Sequence, residues 1–114
     1  MNQHLQLPLP LERPWPVGIR LRFKLDAEMR PRFLYLRGTP ALVLSPLEIL
    51  EDEWRQYVTA FGARYPWDQF GWALPEQLEI IPGQPADPGL QVADQDELSD
   101  RIRHRSRLVP DRLL

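Results

Sequence analysis

An unbroken alternation of apolar and polar side chains over residues 17–25 constrains the fold of this chain more than any other feature. One set is apolar: Val17, Ile19, Leu21, Phe23 and Leu25. The intervening set is small or basic: Gly18, Arg20, Arg22 and Lys24. Because successive side chains of a strand point to opposite faces of a sheet, this period of two predicts an antiparallel strand with one buried and one solvated face.

Two shorter apolar segments follow, separated by turn-forming residues. Residues 32–37 predict a second strand with apolar groups on both faces, and residues 41–44 predict a third, short strand. Residues 26–31 and 38–40 supply the turns between them. Because these connections are short, consecutive strands are expected to pair as neighbours. The sequence therefore predicts a three-stranded antiparallel meander.

Residues 45–62 carry the pattern of a well-capped helix. Ser45 and Glu48 have the spacing of a capping box, and Pro46 stands at the first helical position. Apolar residues recur at helical spacing, at Leu47, Leu50, Trp54, Tyr57, Val58 and Phe61. Polar residues occupy much of the other side, at Glu48, Glu51, Asp52, Arg55 and Gln56. Since Gly62 is a natural stop, we predict a helix over 46–61 that covers one face of the sheet.

A second helix is predicted from Asp94 or Asp96 to about Leu108. Asp94 and Glu97 have capping spacing. Acidic residues come first and arginines last, which suits the helix macrodipole at both ends. The apolar seam is thin, so we expect this helix to dock weakly, to dock on a partner or to fray.

The length of 114 residues fits one domain. Repeated prolines predict an extended arm over residues 1–16, followed by a single α+β domain over 17–93 and a charged helix and tail over 94–114. The predicted fold is α+β: the meander packed by one capped helix, an irregular aromatic region and an arginine-rich C-terminal helix. Residues 76–81 fit either a short strand or one and a half helical turns.

The residues that enzymes use for chemistry are sparse. The chain has no cysteine, which excludes disulfides, a thiolate nucleophile and cysteine-based metal sites. The two histidines, His4 and His104, lie in the arm and among the C-terminal arginines. No glycine-rich phosphate loop or zinc-protease motif occurs. We therefore expect a non-enzymatic protein with no catalytic residue, no metal site and no cofactor.

Aromatic residues suggest that the chain binds another protein. Tryptophan, tyrosine and arginine dominate binding hot spots. The candidate partner-binding residues are Trp15, Arg64, Tyr65, Trp67, Phe70 and Trp72. The same rings could instead complete a small core. We interpret the chain as a small bacterial regulator, inhibitor or antitoxin-like protein, or assembly factor that acts on a protein partner of unknown identity.

Charge patterning supports an alternative, a nucleic-acid-binding regulator. Residues 1–44 carry 7 Lys/Arg and 3 Asp/Glu, residues 45–100 carry 2 and 12, and residues 101–114 carry 5 and 1. The candidate nucleic-acid-binding residues are Arg20, Arg22, Lys24, Arg101, Arg103, Arg105 and Arg107. The pI of about 5.6 is low for such a protein. The arginines can equally pair with the acidic middle of the same chain.

A second alternative is a small cofactor-free enzyme or ligand-binding fold with a pocket lined by Trp67 and Trp72. No N-terminal signal or spanning segment is apparent, so we expect a cytoplasmic protein that does not contact membranes. A self-pairing edge strand would give a homodimer, and the sequence leaves the oligomeric state open.

Overall fold

The computed structural model describes residues 14–50, 53–60, 69–83, 92–105 and 111–114. Within these ranges, seven strands form a curled, largely antiparallel sheet. Its strands are β1 (Arg20–Phe23), β2 (Pro40–Val43), β3 (Glu48–Leu50), β4 (Glu53–Ala60), β5 (Gln69–Ala73), β6 (Leu78–Glu79) and β7 (Asp111–Arg112). One α-helix, α1 (Gln95–Arg105), lies near the C-terminus. The α+β class is therefore confirmed.

The strands lie in the order β6-β1-β2-β4-β5-β7, and β3 pairs with β4 beside this path. All neighbours are antiparallel except β5 and β7, which run parallel. β1 lies within the predicted strand 17–25, and burial alternates along it as expected. β2 overlaps the predicted strand 41–44 and pairs with β1. The sheet is therefore considerably wider than the predicted meander.

The predicted second strand at 32–37 is wrong, because these residues lie in a 3₁₀ helix, Pro31–Leu36. Pro31 fits the first turn of a helix, where its missing N–H is not needed. Phe33 and Leu36, one 3₁₀ turn apart, are both buried, whereas Leu34 is exposed. A spacing of three places both buried side chains on one side of the helix, so the apolar run covers the sheet instead of joining it.

The predicted helix 46–61 is also wrong, because residues 48–50 and 53–60 form the antiparallel strands β3 and β4. Ser45 does not cap a helix; its Oγ accepts a hydrogen bond from the Tyr57 backbone N–H at 2.9 Å. β4 lies between β2 and β5, and its residues from Arg55 to Ala60 are all buried. A strand buried on both faces loses the alternation that identifies strands, so its apolar residues also fit a helical period.

Each face of the sheet carries its own apolar cluster. The first packs strand residues such as Leu21, Phe23 and Val58 against the 3₁₀ helix at 31–36 and against Leu113. The second contains Leu42, Leu44, Tyr57, Phe70 and Ala93, with Trp72 and Leu98 packed against it. Leu98 belongs to α1, so this helix lies on the second face. The two clusters explain why β4 is buried on both sides.

The predicted C-terminal helix is confirmed as α1 over 95–105. Asp94 caps it as expected, since its Oδ1 accepts a hydrogen bond from the Glu97 backbone N–H at 2.7 Å. The ambiguous segment 76–81 divides into the end of a short 3₁₀ helix, Pro75–Gln77, and strand β6. Of the arm predicted over residues 1–16, residues 1–13 lie outside the described residues.

Candidate functional site

The basic face of β1 is held in ion pairs with acidic residues from elsewhere in the chain. Arg20 pairs with Glu97 of α1. Arg22 Nε donates to Glu79 Oε2 of β6 at 2.6 Å. All four side chains are about a quarter to a third exposed. The two guanidinium groups predicted to follow a phosphate backbone therefore already have carboxylate partners.

The first turns of α1 extend this charged surface. Arg101 lies one helical turn beyond Glu97. Burial lowers the pKa of Arg101, and the positive charge of Arg20 lowers it further, which places the two guanidinium groups in the same neighbourhood. The structure thus gathers Arg20, Glu97 and Arg101 at the contact between α1 and β1. Part of the predicted basic surface therefore serves to attach the helix to the sheet.

The other predicted nucleic-acid-binding residues are placed differently. Lys24 follows β1 and is half-buried, and its backbone N–H donates to the Gln77 carbonyl at 2.9 Å. Arg103 is exposed on α1, and its guanidinium nitrogen lies 3.6 Å from Asp100 Oδ1. The backbone of Arg105 ends α1, but its side chain and all of Arg107 lie outside the described residues.

Trp15, the first predicted partner-binding residue, is fastened to the sheet. Its indole Nε1 donates to the Pro75 carbonyl at 3.0 Å, and its ring packs against the first apolar cluster. The side-chain amide of Gln56 accepts from the Trp15 backbone N–H at 3.1 Å and donates to its carbonyl at 2.8 Å. Trp15 therefore anchors the start of the described chain, whatever else its half-buried ring contacts.

Phe70 and Trp72 both lie on the second face of the sheet. Phe70 is buried, with an exposed fraction of 5 %, and belongs to the second cluster. Trp72 is half-buried, and its ring stands edge-on to Tyr57 with centroids 5.1 Å apart. Of these two rings, Trp72 is the one with surface left to offer a partner. Arg64, Tyr65 and Trp67 lie outside the described residues, so their partner-binding role stays a prediction.

The hairpin of β3 and β4 is an exposed feature that the sequence did not reveal. β3 pairs with β4 on one side, and its other edge has no strand partner within the described ranges. Ile49, at the centre of β3, is 56 % exposed. The indole N–H of Trp54, opposite Ile49, is buried and makes no hydrogen bond in the described part of the chain. The predicted helix over 46–61 concealed this edge.

Three buried polar side chains hold distant segments together. In addition to the two hydrogen bonds between Gln56 and the Trp15 backbone, Gln56 Nε2 donates to the Ser45 carbonyl at 3.1 Å. Gln77 Oε1 accepts from the Leu74 N–H at 2.7 Å, and its Nε2 donates to the Glu28 carbonyl at 2.8 Å. Arg55, only 2 % exposed, donates to the carbonyls of Trp72 and Leu114 and pairs with Glu53. Since each side chain satisfies backbone groups, these contacts indicate a structural role.

No family model, curated protein or solved structure matches the chain. Among the described residues, no three histidine or acidic side chains are grouped closely enough to hold a metal ion. No helix in those ranges has the length and apolar character needed to cross a bilayer. Geometry, charge and exposure are therefore the guides to function.

Proposed function

We propose that this protein is non-enzymatic and acts by binding a partner protein, as a regulator, inhibitor or assembly factor. The observation that supports the proposal is the free edge of β3, where Ile49 is 56 % exposed and the strand pairs on one side only within the described ranges. An exposed strand edge offers unpaired backbone donors and acceptors that can take up an extended segment of another chain. Main-chain hydrogen bonds would give affinity, and side-chain contacts would give specificity.

The charge around this edge favours a particular kind of partner segment. Residues 48–53 contain four acidic residues, Glu48, Glu51, Asp52 and Glu53. Of the described acids, Glu53 pairs with Arg55, and Glu48 lies opposite Arg55 in the strand register. Because the hairpin remains acidic overall, like-charge repulsion opposes pairing of β3 with a second β3. An extended partner segment with basic and apolar residues would fit better.

A pair of matched variants tests this proposal. Ile49→Lys places a charge at the centre of the edge, and Val92→Lys makes the same change at a residue of similar exposure (59 %) away from it. Affinity capture from the native host, quantified by mass spectrometry, should recover a stoichiometric partner with the unmodified chain and with Val92→Lys. Recovery should fall at least tenfold with Ile49→Lys. Equal recovery with both variants would contradict the role of β3.

The predicted aromatic anchors can be examined in the same capture experiment. If Trp67 and Trp72 contact the partner, Trp67→Ala and Trp72→Ala should weaken capture while thermal unfolding shows a folded domain. If the variants only melt at lower temperature, with capture unchanged below the transition, the rings serve the core. No recovery of any protein with the unmodified chain would count against protein binding itself.

The nucleic-acid alternative is less well supported, since Arg20 and Arg22 are paired with Glu97 and Glu79. Binding that depends on phosphate contacts weakens steeply as salt concentration rises. A salt titration with mixed-sequence DNA and RNA would identify such binding. No detectable association with either polymer at low salt would rule out this alternative.

A further inference from the structure

The N-terminal arm joins the described fold beside the start of β3. The side-chain amide of Gln56 bonds to both the N–H and the carbonyl of Trp15. The same amide donates to the carbonyl of Ser45, in the segment that leads from β2 into β3. Arg55, the neighbour of Gln56, lies opposite Glu48, the first residue of β3. The chain that precedes Trp15 therefore leaves the described fold next to β3.

The arm is long enough to cover the outer edge of β3, the edge that faces away from β4. That edge has no strand partner within the described ranges. An extended chain advances about 3.3 Å per residue, so residues 1–13 span up to about 40 Å. The three residues of β3 need only about 10 Å of this length.

The longer segments outside the described ranges are attached elsewhere. Residues 61–68 join Ala60 to Gln69, which already lie opposite each other in the β4–β5 register. Residues 84–91 lead to Val92, which bridges to Ile19. Residues 106–110 lead to β7 beside β5. Of these segments, the arm is the one whose point of attachment is bonded to the junction of β2 and β3.

The order of prolines in the arm suits a strand at the edge of a sheet. In a strand, the backbone groups of alternate residues point to the same edge. Both backbone groups of Trp15 face the Gln56 amide, so in an extended arm the odd-numbered residues present their N–H and carbonyl groups to the fold. The prolines are all even-numbered: Pro8, Pro10, Pro14 and Pro16. Their missing N–H groups would lie on the outer side, where a sheet tolerates proline.

The exposed side chain of β3 lies on the face that Trp15 covers. The Trp15 ring packs against the first apolar cluster, which includes Val58 of β4. Trp54 is separated from Val58 by an even number of residues, so it points to the same face. Ile49 lies opposite Trp54 and is 56 % exposed. Because paired residues share a face, Ile49 also lies on the face of the first cluster.

The side chains of the arm match this face of β3. The leucines occupy odd positions, in phase with Trp15: Leu5, Leu7, Leu9 and Leu11. An extended arm beside β3 therefore places leucines next to Ile49. Residues 5–11 carry no charged side chain, so the acidic residues around β3 do not repel them. One alternation thus sets both the hydrogen-bonding side and the apolar face of the arm.

We propose that residues 5–11 of the arm pair with the outer edge of β3 in the same molecule and cover Ile49. The arm then occupies the edge that a partner segment would use, and a partner must displace it. This regulation rests on the proposed function, whereas the docking of the arm does not. Because β3 has only three residues, few main-chain hydrogen bonds hold the arm, which leaves it displaceable.

The reactivity of a single thiol on β3 tests the docking. The unmodified chain has no cysteine, so Ile49→Cys introduces one thiol, and its rate of reaction with a soluble disulfide reagent reports cover. Leu7→Pro with Leu9→Pro removes donors and leucines from the inner side of the arm, and we expect the reaction to become at least fivefold faster. Gln6→Pro with Glu12→Pro is the matched control, since it places two prolines on the outer side and should leave the rate unchanged.

Two further comparisons exclude other causes of a faster reaction. Val92→Cys, at a residue that is 59 % exposed, should react at the same rate with each form of the arm. Protection of Ile49→Cys should not depend on protein concentration. Equal rates at Ile49→Cys with all three arms, or an equal rise at Val92→Cys, would overturn the proposal. Protection that disappears on dilution would also overturn it, because the arm of a second copy would then cover β3.

Amide hydrogen exchange of residues 48–50 measures the pairing with Ile49 in place. Exchange should be at least fivefold faster in Leu7→Pro with Leu9→Pro than in the unmodified chain, and Gln6→Pro with Glu12→Pro should match the unmodified chain. Equal exchange in all three proteins would overturn pairing of the arm with β3.

Partner capture from the native host separates docking from regulation. Leu7→Pro with Leu9→Pro uncovers β3 and should raise recovery of the partner at least threefold. Faster thiol reaction without a gain in recovery would support the docking of the arm and would count against partner binding at β3. Unchanged thiol reactivity would overturn the docking whatever the capture shows.

Discussion

Replacement of Gln56 by leucine separates the observed strand from the helix that the sequence pattern predicts. Gln56 is 0 % exposed, and its amide makes three hydrogen bonds to backbone groups of Trp15 and Ser45. Leucine has nearly the same size but can make none of them. In the predicted helix 46–61, by contrast, Gln56 would lie on the polar side, where leucine costs little.

The expected loss follows from those three bonds. Each contributes about 0.5–1.5 kcal/mol to the free energy of unfolding, and a buried group left without a partner adds a desolvation cost. The hydrogen bond from Gln56 to the Ser45 carbonyl is buried, so its loss leaves that carbonyl without a partner. Trp15 is half-buried, so water can replace part of the hydrogen bonding that the Trp15 backbone loses. We therefore expect Gln56→Leu to lower the free energy of unfolding by about 2–4 kcal/mol.

Urea unfolding followed by tryptophan fluorescence and circular dichroism measures this loss, with the slope of the transition checked for change. The control is Gln95→Leu at the exposed start of α1, which should shift the free energy of unfolding by less than about 0.5 kcal/mol. If Gln56→Leu lowers the free energy of unfolding no more than Gln95→Leu does, the three hydrogen bonds of Gln56 do not stabilise the fold and the reasoning fails.

Two further changes test the buried side chain of Leu113 and the basic face of β1. Leu113→Ala truncates a side chain that is 1 % exposed, so it should lower the free energy of unfolding, measured in urea, by about 2–5 kcal/mol. A loss under about 1 kcal/mol would show that Leu113 does not belong to the core. Glu79→Gln removes the carboxylate partner of Arg22 and should delay elution from heparin in a salt gradient. Glu76→Gln removes the same charge at an exposed residue, and equal elution of the two variants would contradict the screening of Arg22 by Glu79.

Local sequence signals were reliable where one face of an element meets solvent. The alternation over 17–25 marks β1, because its basic side chains stay near the surface while Leu21 and Phe23 are buried. The same logic identifies α1 from its Asp94 cap and its order of charges. In β1 and α1 the contacts that define the element join residues close together in the sequence, so the local pattern predicts the element correctly.

The same signals failed where the rest of the fold decides the environment. β4 lies in the middle of the sheet, and its polar residues Arg55 and Gln56 are about as buried as Val58. A strand covered on both faces shows no alternation, and its spacing then matches a helix by chance. Phe70, one of the predicted partner-binding residues, is likewise buried in the second cluster, against which Leu98 of α1 packs.

The charged residues show the difference between what the sequence reveals and what packing of the folded chain adds. The sequence reveals basic ends around an acidic middle, a strand at 17–25 and a capped C-terminal helix, but it identifies no ion pair. Packing of the folded chain brings Arg20 to a carboxylate 77 residues away and Arg22 to one 57 residues away. Caps and periods act between near neighbours along the chain, whereas ion pairs and burial depend on which distant elements pack together. The edge of β3 that is unpaired within the described ranges and the burial of Leu113 both result from that packing.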